Sequence, residues 1–219
     1  MNRQFVKVEK GLGPQGRIAV VRFDRGDNIN ALSQQAMREL RDVPRDFEDD
    51  LETSVVVLTG TAKAFSAGFD LKDPDGRQRD GLSVGERVNR QRLGPRMCRA
   101  WQEMDQVTIA AIEGHCIGGG AALVVSLDFR TCGRSAHFRI PEVELGMNMS
   151  WGSIPRMLAL MGPARTKQAV ILASDRIGSA DANPYIALAA SIAAGLEGIE
   201  RGLALPPKVE GNAYDREYP

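Results

Sequence analysis

Aromatic residues are scarce in this chain, only 5% of 219 positions, which leaves little material for stacking nucleic-acid bases. An excess of one charge is also missing: Lys and Arg number 28 against 28 Asp and Glu, so no bulk field exists to hold a polyanion. No nucleic-acid partner is expected. Cysteine is limited to Cys98, Cys116 and Cys132, an odd set without metal-ligand spacing. Free, buried thiols of a reducing compartment and no metal site are the reading. No apolar run is long enough for a bilayer, because the longest tract, residues 107–129, is interrupted by Glu113, His115 and glycines. The opening Met1-Asn2-Arg3-Gln4-Phe5 lacks the apolar core of a secretory signal. A cytoplasmic protein with no membrane partner is expected.

What is present is material for a core: 43% of residues are hydrophobic, enough for one domain with a short appendage. Residues 17–23 (RIAVVRF) predict a strand between Gly16 and a polar turn. Ser33 caps a predicted helix carrying Met37, Leu40 and Phe47 on one face, with Pro44 kinking or ending it. Residues 54–60 (SVVVLTG) predict a strand buried on both faces, and residues 107–113 (VTIAAIE) another. Residues 73–92 are charged and glycine-bearing, which predicts a mobile loop or a solvated helix. Strands alternating with helices indicate an α/β architecture.

Two glycine-bearing turns concentrate the chemistry: Phe65-Ser66-Ala67-Gly68-Phe69-Asp70 and Gly114-His115-Cys116-Ile117-Gly118-Gly119-Gly120. A strand that runs through a glycine turn into a helix leaves main-chain N–H groups unpaired, and these stabilise phosphate or a developing oxyanion. No Lys-Ser or Lys-Thr follows the glycines, which disfavours a phosphate loop. Their spacing also disfavours a dinucleotide fingerprint. Ser66 lacks the setting of a serine hydrolase nucleophile. His115 reads as a packed or surface side chain, His137 as an exposed one, and Asp70 as a turn-forming residue.

With these turns in place, the chain resembles the crotonase family, the enoyl-CoA hydratases and isomerases, over roughly residues 5–182. The likeness is carried by Asn30-Ala31-Leu32-Ser33, by residues 55–73 (VVVLTGTAKAFSAGFDLKD), 110–123 (AAIEGHCIGGGAAL) and 138–147 (FRIPEVELGM), and by residues 162–182. It implies a spiral of ββα units and an acyl-CoA substrate. Coenzyme A then enters as part of that substrate, with no tightly bound cofactor. It also implies a homotrimer or a hexamer. The family pattern makes the N–H groups of Phe69 and Gly119 an oxyanion hole, and lines the CoA crevice with Ala67, Phe69, Asp70, Leu71 and Lys72.

Family hydratases use two glutamates to hold and activate water. The first corresponds here to Ala122, whose methyl group can do neither; the second corresponds to Glu142 after Pro141. One carboxylate suffices to move a double bond, taking a proton from C2 and returning it at C4 while the dienolate is held. The expectation is therefore a single-glutamate enoyl-CoA isomerase. The alternatives are hydratase-type activity, or a non-catalytic homologue that binds CoA or only oligomerises. Glu144 ranks below Glu142, as a structural or ion-pair residue, and Trp151 reads either as an acyl-pocket wall or as core.

The tail is foreign to this pattern. Residues 180–214 resemble the C-terminal segment of glutamine synthetases, with Asn183 capping a helix whose stripe is Tyr185, Leu188, Ile192, Leu196 and Ile199. The division expected is a crotonase-like domain at 1–181 and a tail at 182–219, consisting of an atypical C-terminal helix and an extended exit.

Overall fold

The β-branched runs of the sequence become strands that sort into two sheets. The computed structural model describes residues 3–77, 81–173 and 176–177. The elements are β1 (Val6–Leu12), β2 (Ile18–Phe23), α1 (Gln34–Asp42), a 3-10 turn (Pro44–Phe47), β3 (Val55–Thr59), β4 (Ala64–Ser66), α2 (Pro74–Arg77), α3 (Val84–Gln91) and α4 (Leu93–Gln102). They continue as β5 (Val107–Ile112), β6 (His115–Ile117), α5 (Gly119–Val124), β7 (Phe129–Cys132), β8 (His137–Arg139), α6 (Ser153–Ile171) and β9 (Arg176–Ile177).

One sheet has the order β1-β2-β3-β5-β7 and the other β4-β6-β8-β9. From β3 onward the chain repeats a pattern. A strand joins the first sheet, a short strand joins the second, and helix follows, as in β3–β4, β5–β6–α5 and β7–β8–α6. β2, β3, β5 and β7 pair in parallel, as do β4, β6 and β8, because each unit returns through its helical connection. Among the described strands, the flanking β1 and β9 join their sheets antiparallel. This is the spiral of ββα units that the resemblance implied.

Local chemistry sets the boundaries. The Ser33 hydroxyl accepts a hydrogen bond from the Ala36 N–H at 3.2 Å and caps α1. Pro44 ends that helix and opens the 3-10 turn, so Phe47 reaches the core from a separate element. Residues 84–91 are the solvated helix, opened by a Ser83–Glu86 capping box and burying no side chain.

Three expectations need correction. β3 is buried on one face only: Val56 and Leu58 are fully enclosed, while Val55, Val57 and Thr59 are half-buried because the sheet's second face is less covered. The glycine turn after β5 contains a strand of its own, β6, which its three residues were too short to announce. His137 is half-buried, its ring edge-on to that of His115 on the neighbouring strand.

The core lies where α1 and α4 meet the first sheet. Trp101, Phe47, Leu40, Met97 and Leu58 are fully buried, and the Trp101 indole N–H donates to the Leu40 carbonyl at 2.8 Å. Among the described residues no helix is long and apolar enough to cross a membrane. The predicted tail helix and the 181/182 boundary lie outside the described residues.

Candidate active site

The two glycine turns pack main chain against main chain. A Cβ on Gly120 would lie 2.8 Å from the Ser66 carbonyl oxygen. One on Gly68 would lie 2.6 Å from the Ile117 carbonyl oxygen and 3.1 Å from the Gly119 nitrogen. Side chains there would wedge the turns apart, and Gly68 also holds φ +85°, a region that L side chains rarely adopt. The buried Ser66 hydroxyl shapes the first turn, donating to the Asn30 carbonyl and accepting from the Gly68 N–H.

Phe69 forms a parallel bridge with Leu32: the Leu32 N–H donates to the Gly68 carbonyl at 2.7 Å, and the Asp70 N–H donates to the Leu32 carbonyl at 3.1 Å. Successive peptide groups of an extended segment face opposite ways, so the Phe69 N–H points away from Leu32. Gly119 opens α5, so its N–H has no earlier helical carbonyl to bond. The two amides named from the sequence therefore belong to turns in direct contact.

Glu142 arrives at the same place through β8. The Gly118 N–H donates to the Arg139 carbonyl at 2.9 Å, and the chain then runs through Ile140 and Pro141 into a turn. The Glu142 Oε1 lies 2.7 Å from the position a Cβ on Gly118 would take, and Gly118 holds φ +49°, a conformation that L side chains rarely adopt. Its Oε2 is buried and has no hydrogen-bond partner among the described residues. Burial pushes the carboxyl above its ordinary pKa, offset in part by its own main-chain N–H. Glu144, two residues on, is exposed and paired with Arg139 at 2.6 Å, the ion-pair role expected of it.

Ala122 is buried in α5, its N–H bonded to the Gly118 carbonyl at 2.9 Å, and it brings no acid. Ala67 donates its N–H to Ile29, while Leu71 and Lys72 lie exposed at the outer end of the first turn. Asp70 is a structural residue. Partial burial opposes its ionisation, but hydrogen bonds from the Arg25 guanidinium at 2.8 Å and the Lys72 N–H at 2.9 Å hold its carboxyl below the usual range. Arg25 was not anticipated; an ion pair across 45 residues leaves no local pattern to read.

Trp151 is the other side chain gathered here, its six-membered ring against Gly119. His115 is exposed and pairs with His137 rather than with the carboxylate. Burial drives the Cys98 thiol to about pH 12 and raises Cys116 further from reactivity, while Cys132 is half-buried. Among the described residues no group of three or more His, Cys, Asp or Glu is placed to hold a metal ion. The arrangement offers main-chain N–H groups on one side and one elevated carboxylate on the other. That suits proton transfer beside an oxygen that gains negative charge.

Comparison with known proteins gives the same neighbourhood. The family profile described as enoyl-CoA hydratase/isomerase matches residues 13–185. The chain is 31% identical over 166 residues to the short-chain-enoyl-CoA hydratase of Clostridium acetobutylicum, covering 75% of this chain and 61% of that protein. It is 32% identical over 158 residues to the crotonyl-CoA hydratase of Syntrophomonas wolfei, covering 72% and 59% respectively. Among solved structures, an enoyl-CoA hydratase from Bacillus anthracis superposes with a TM-score of 0.73 at 26% identity, over 90% of this chain and 77% of that one. The chain thus spans about three fifths of the length of these curated relatives.

Proposed function

We propose, from the premise that this chain belongs to the enoyl-CoA hydratase/isomerase (crotonase) family, that it acts on acyl-CoA thioesters through an enolate held by main-chain amides. The N–H groups of Phe69 and Gly119 receive the thioester oxygen. Glu142 moves the proton. As the proton leaves C2, charge gathers on that oxygen, and donors fixed in advance stabilise it more than they stabilise the neutral substrate. Loss of one such donor costs about 10²–10³ in rate.

The observation that carries the reading is the buried Oε2 of Glu142 beside the glycine turn, which has no partner among the described residues. An orphaned carboxylate oxygen with a raised pKa is suited to accept and return a proton. With Ala122 in place of a second acid, the reaction best suited to the site is double-bond isomerisation, 3-enoyl to 2-enoyl. Glu142 would take the proton at C2 and deliver it at C4. Hydration is the second reading, favoured by the names of the relatives, which are hydratases.

Incubation with 3-enoyl-CoA and with 2-enoyl-CoA separates the two. Formation of the conjugated product without gain of water supports isomerisation; a mass gain of one water on 2-enoyl-CoA supports hydration. Glu142→Gln should lower turnover by about 10²–10⁴ while leaving acyl-CoA affinity within a few fold. A variant that keeps most of its activity would take Glu142 out of the mechanism.

A further inference from the structure

We propose that Trp151 is the specificity-determining residue of this site, its indole forming a fixed wall that restricts the acyl arm to short chains. The inference rests on the acyl-thioester reading above and adds to it which acyl groups fit.

The consecutive glycines 118 and 119 have different neighbours. Gly118 faces the Glu142 carboxylate, whereas a Cβ on Gly119 would lie 2.7 and 2.8 Å from Cζ3 and Cη2 of Trp151. Leu32 Cδ1 closes in on the same Gly119 position at 3.3 Å. A carbonyl oxygen held at the Gly119 N–H, with its C2 facing Glu142, therefore carries its acyl arm past the indole. The opposite edge of the ring rests on α4, where a Cβ on Gly94 would run into Cε2, Cδ2 and Cζ2. Glycine is a poor helix former, and its presence in the first turn of α4 is explained by the room it leaves for this ring.

The indole is also anchored. Trp151 and Gly152 hold φ of +60° and +69°. The Arg156 guanidinium donates to the Trp151 carbonyl at 2.8 Å, and through Nε to the Gln102 Oε1 at the end of α4, also at 2.8 Å. The Ser153 hydroxyl closes the turn on the Ser150 carbonyl. A long acyl chain would have to displace an aromatic ring whose backbone is tied to α4, and a short one would not. Truncating the ring opens that space.

The test is the dissociation constant for butanoyl-CoA and dodecanoyl-CoA, measured by calorimetry on the wild-type chain, Trp151→Phe and Trp151→Ala. The wild type should prefer butanoyl-CoA by at least tenfold. Trp151→Ala should reduce that preference at least tenfold, mainly by tightening dodecanoyl-CoA, and Trp151→Phe should fall between. Cooperative urea unfolding of Trp151→Phe keeps the comparison interpretable if the alanine variant does not fold. A wild type that binds both thioesters equally, or a preference unmoved in a folded Trp151 variant, overturns the wall and leaves the acyl-thioester reading standing. A wild type that binds neither overturns both.

Discussion

At the residue scale, Glu142 pairs a useful chemistry with an unfavourable burial. Its carboxyl is partly enclosed, one oxygen has no partner among the described residues, and its pKa is pushed up by loss of water. An acid with a raised folded pKa opposes folding once it ionises. The penalty is absent below the ordinary carboxylate range, near pH 4, and grows as pH rises through the folded value. Glu142→Gln should therefore unfold at higher urea than the parent at pH 7, with the two midpoints converging as pH falls to about 4. A glutamine variant that is less stable at pH 7 would mean the carboxylate has a stabilising partner. Activity and stability pull in opposite directions at this position, as they commonly do where a site needs an unsatisfied group.

Elements bring these residues together, and one buried carboxylate shows how. Glu39 on α1 accepts hydrogen bonds from the N–H groups of Gln4, Phe5 and Val6 at 3.0, 2.8 and 3.1 Å, and so fastens the start of β1 to the helix. Glu39→Ala would leave those donors without their acceptor, with Val6 buried. It should cost about 2–4 kcal/mol in a urea titration, because orphaning a buried donor carries its full desolvation penalty. Neither β1 nor α4 was legible in the sequence. β1 runs along an edge with alternating Lys and Glu, and α4 opens on Leu93-Gly94-Pro95, which reads as a turn. β2, β3 and β5 were legible as short apolar runs rich in β-branched residues, and α1 because its apolar residues recur at helical spacing. Gly94 meant nothing alone; it gained a reason only when α4 was placed against Trp151.

For the whole molecule, two mostly parallel sheets linked by a repeating connection set the first glycine turn against the second, and β8 sets Glu142 beside the second. If an acyl thioester occupies this site, it binds the folded state alone and stabilises it. At a concentration 100 times its Kd the gain is about 2.7 kcal/mol, which for a chain of this size is roughly 5–10 °C in Tm. Butanoyl-CoA should produce such a shift in a thermal melt of both the wild type and Glu142→Gln. No shift in either protein would count against acyl-CoA binding. By itself the sequence determined the family, the strand-and-helix alternation and both glycine turns, and it set an alanine at position 122 and an acid at position 142. Those are properties of short windows, fixed by side-chain type and spacing. Only the tertiary structure decided that the Glu142 carboxylate meets Gly118, that its Oε2 has no partner among the described residues, and that an indole occupies the Gly119 side. Each depends on which segments, far apart along the chain, are brought within a few ångströms by sheet pairing and close packing.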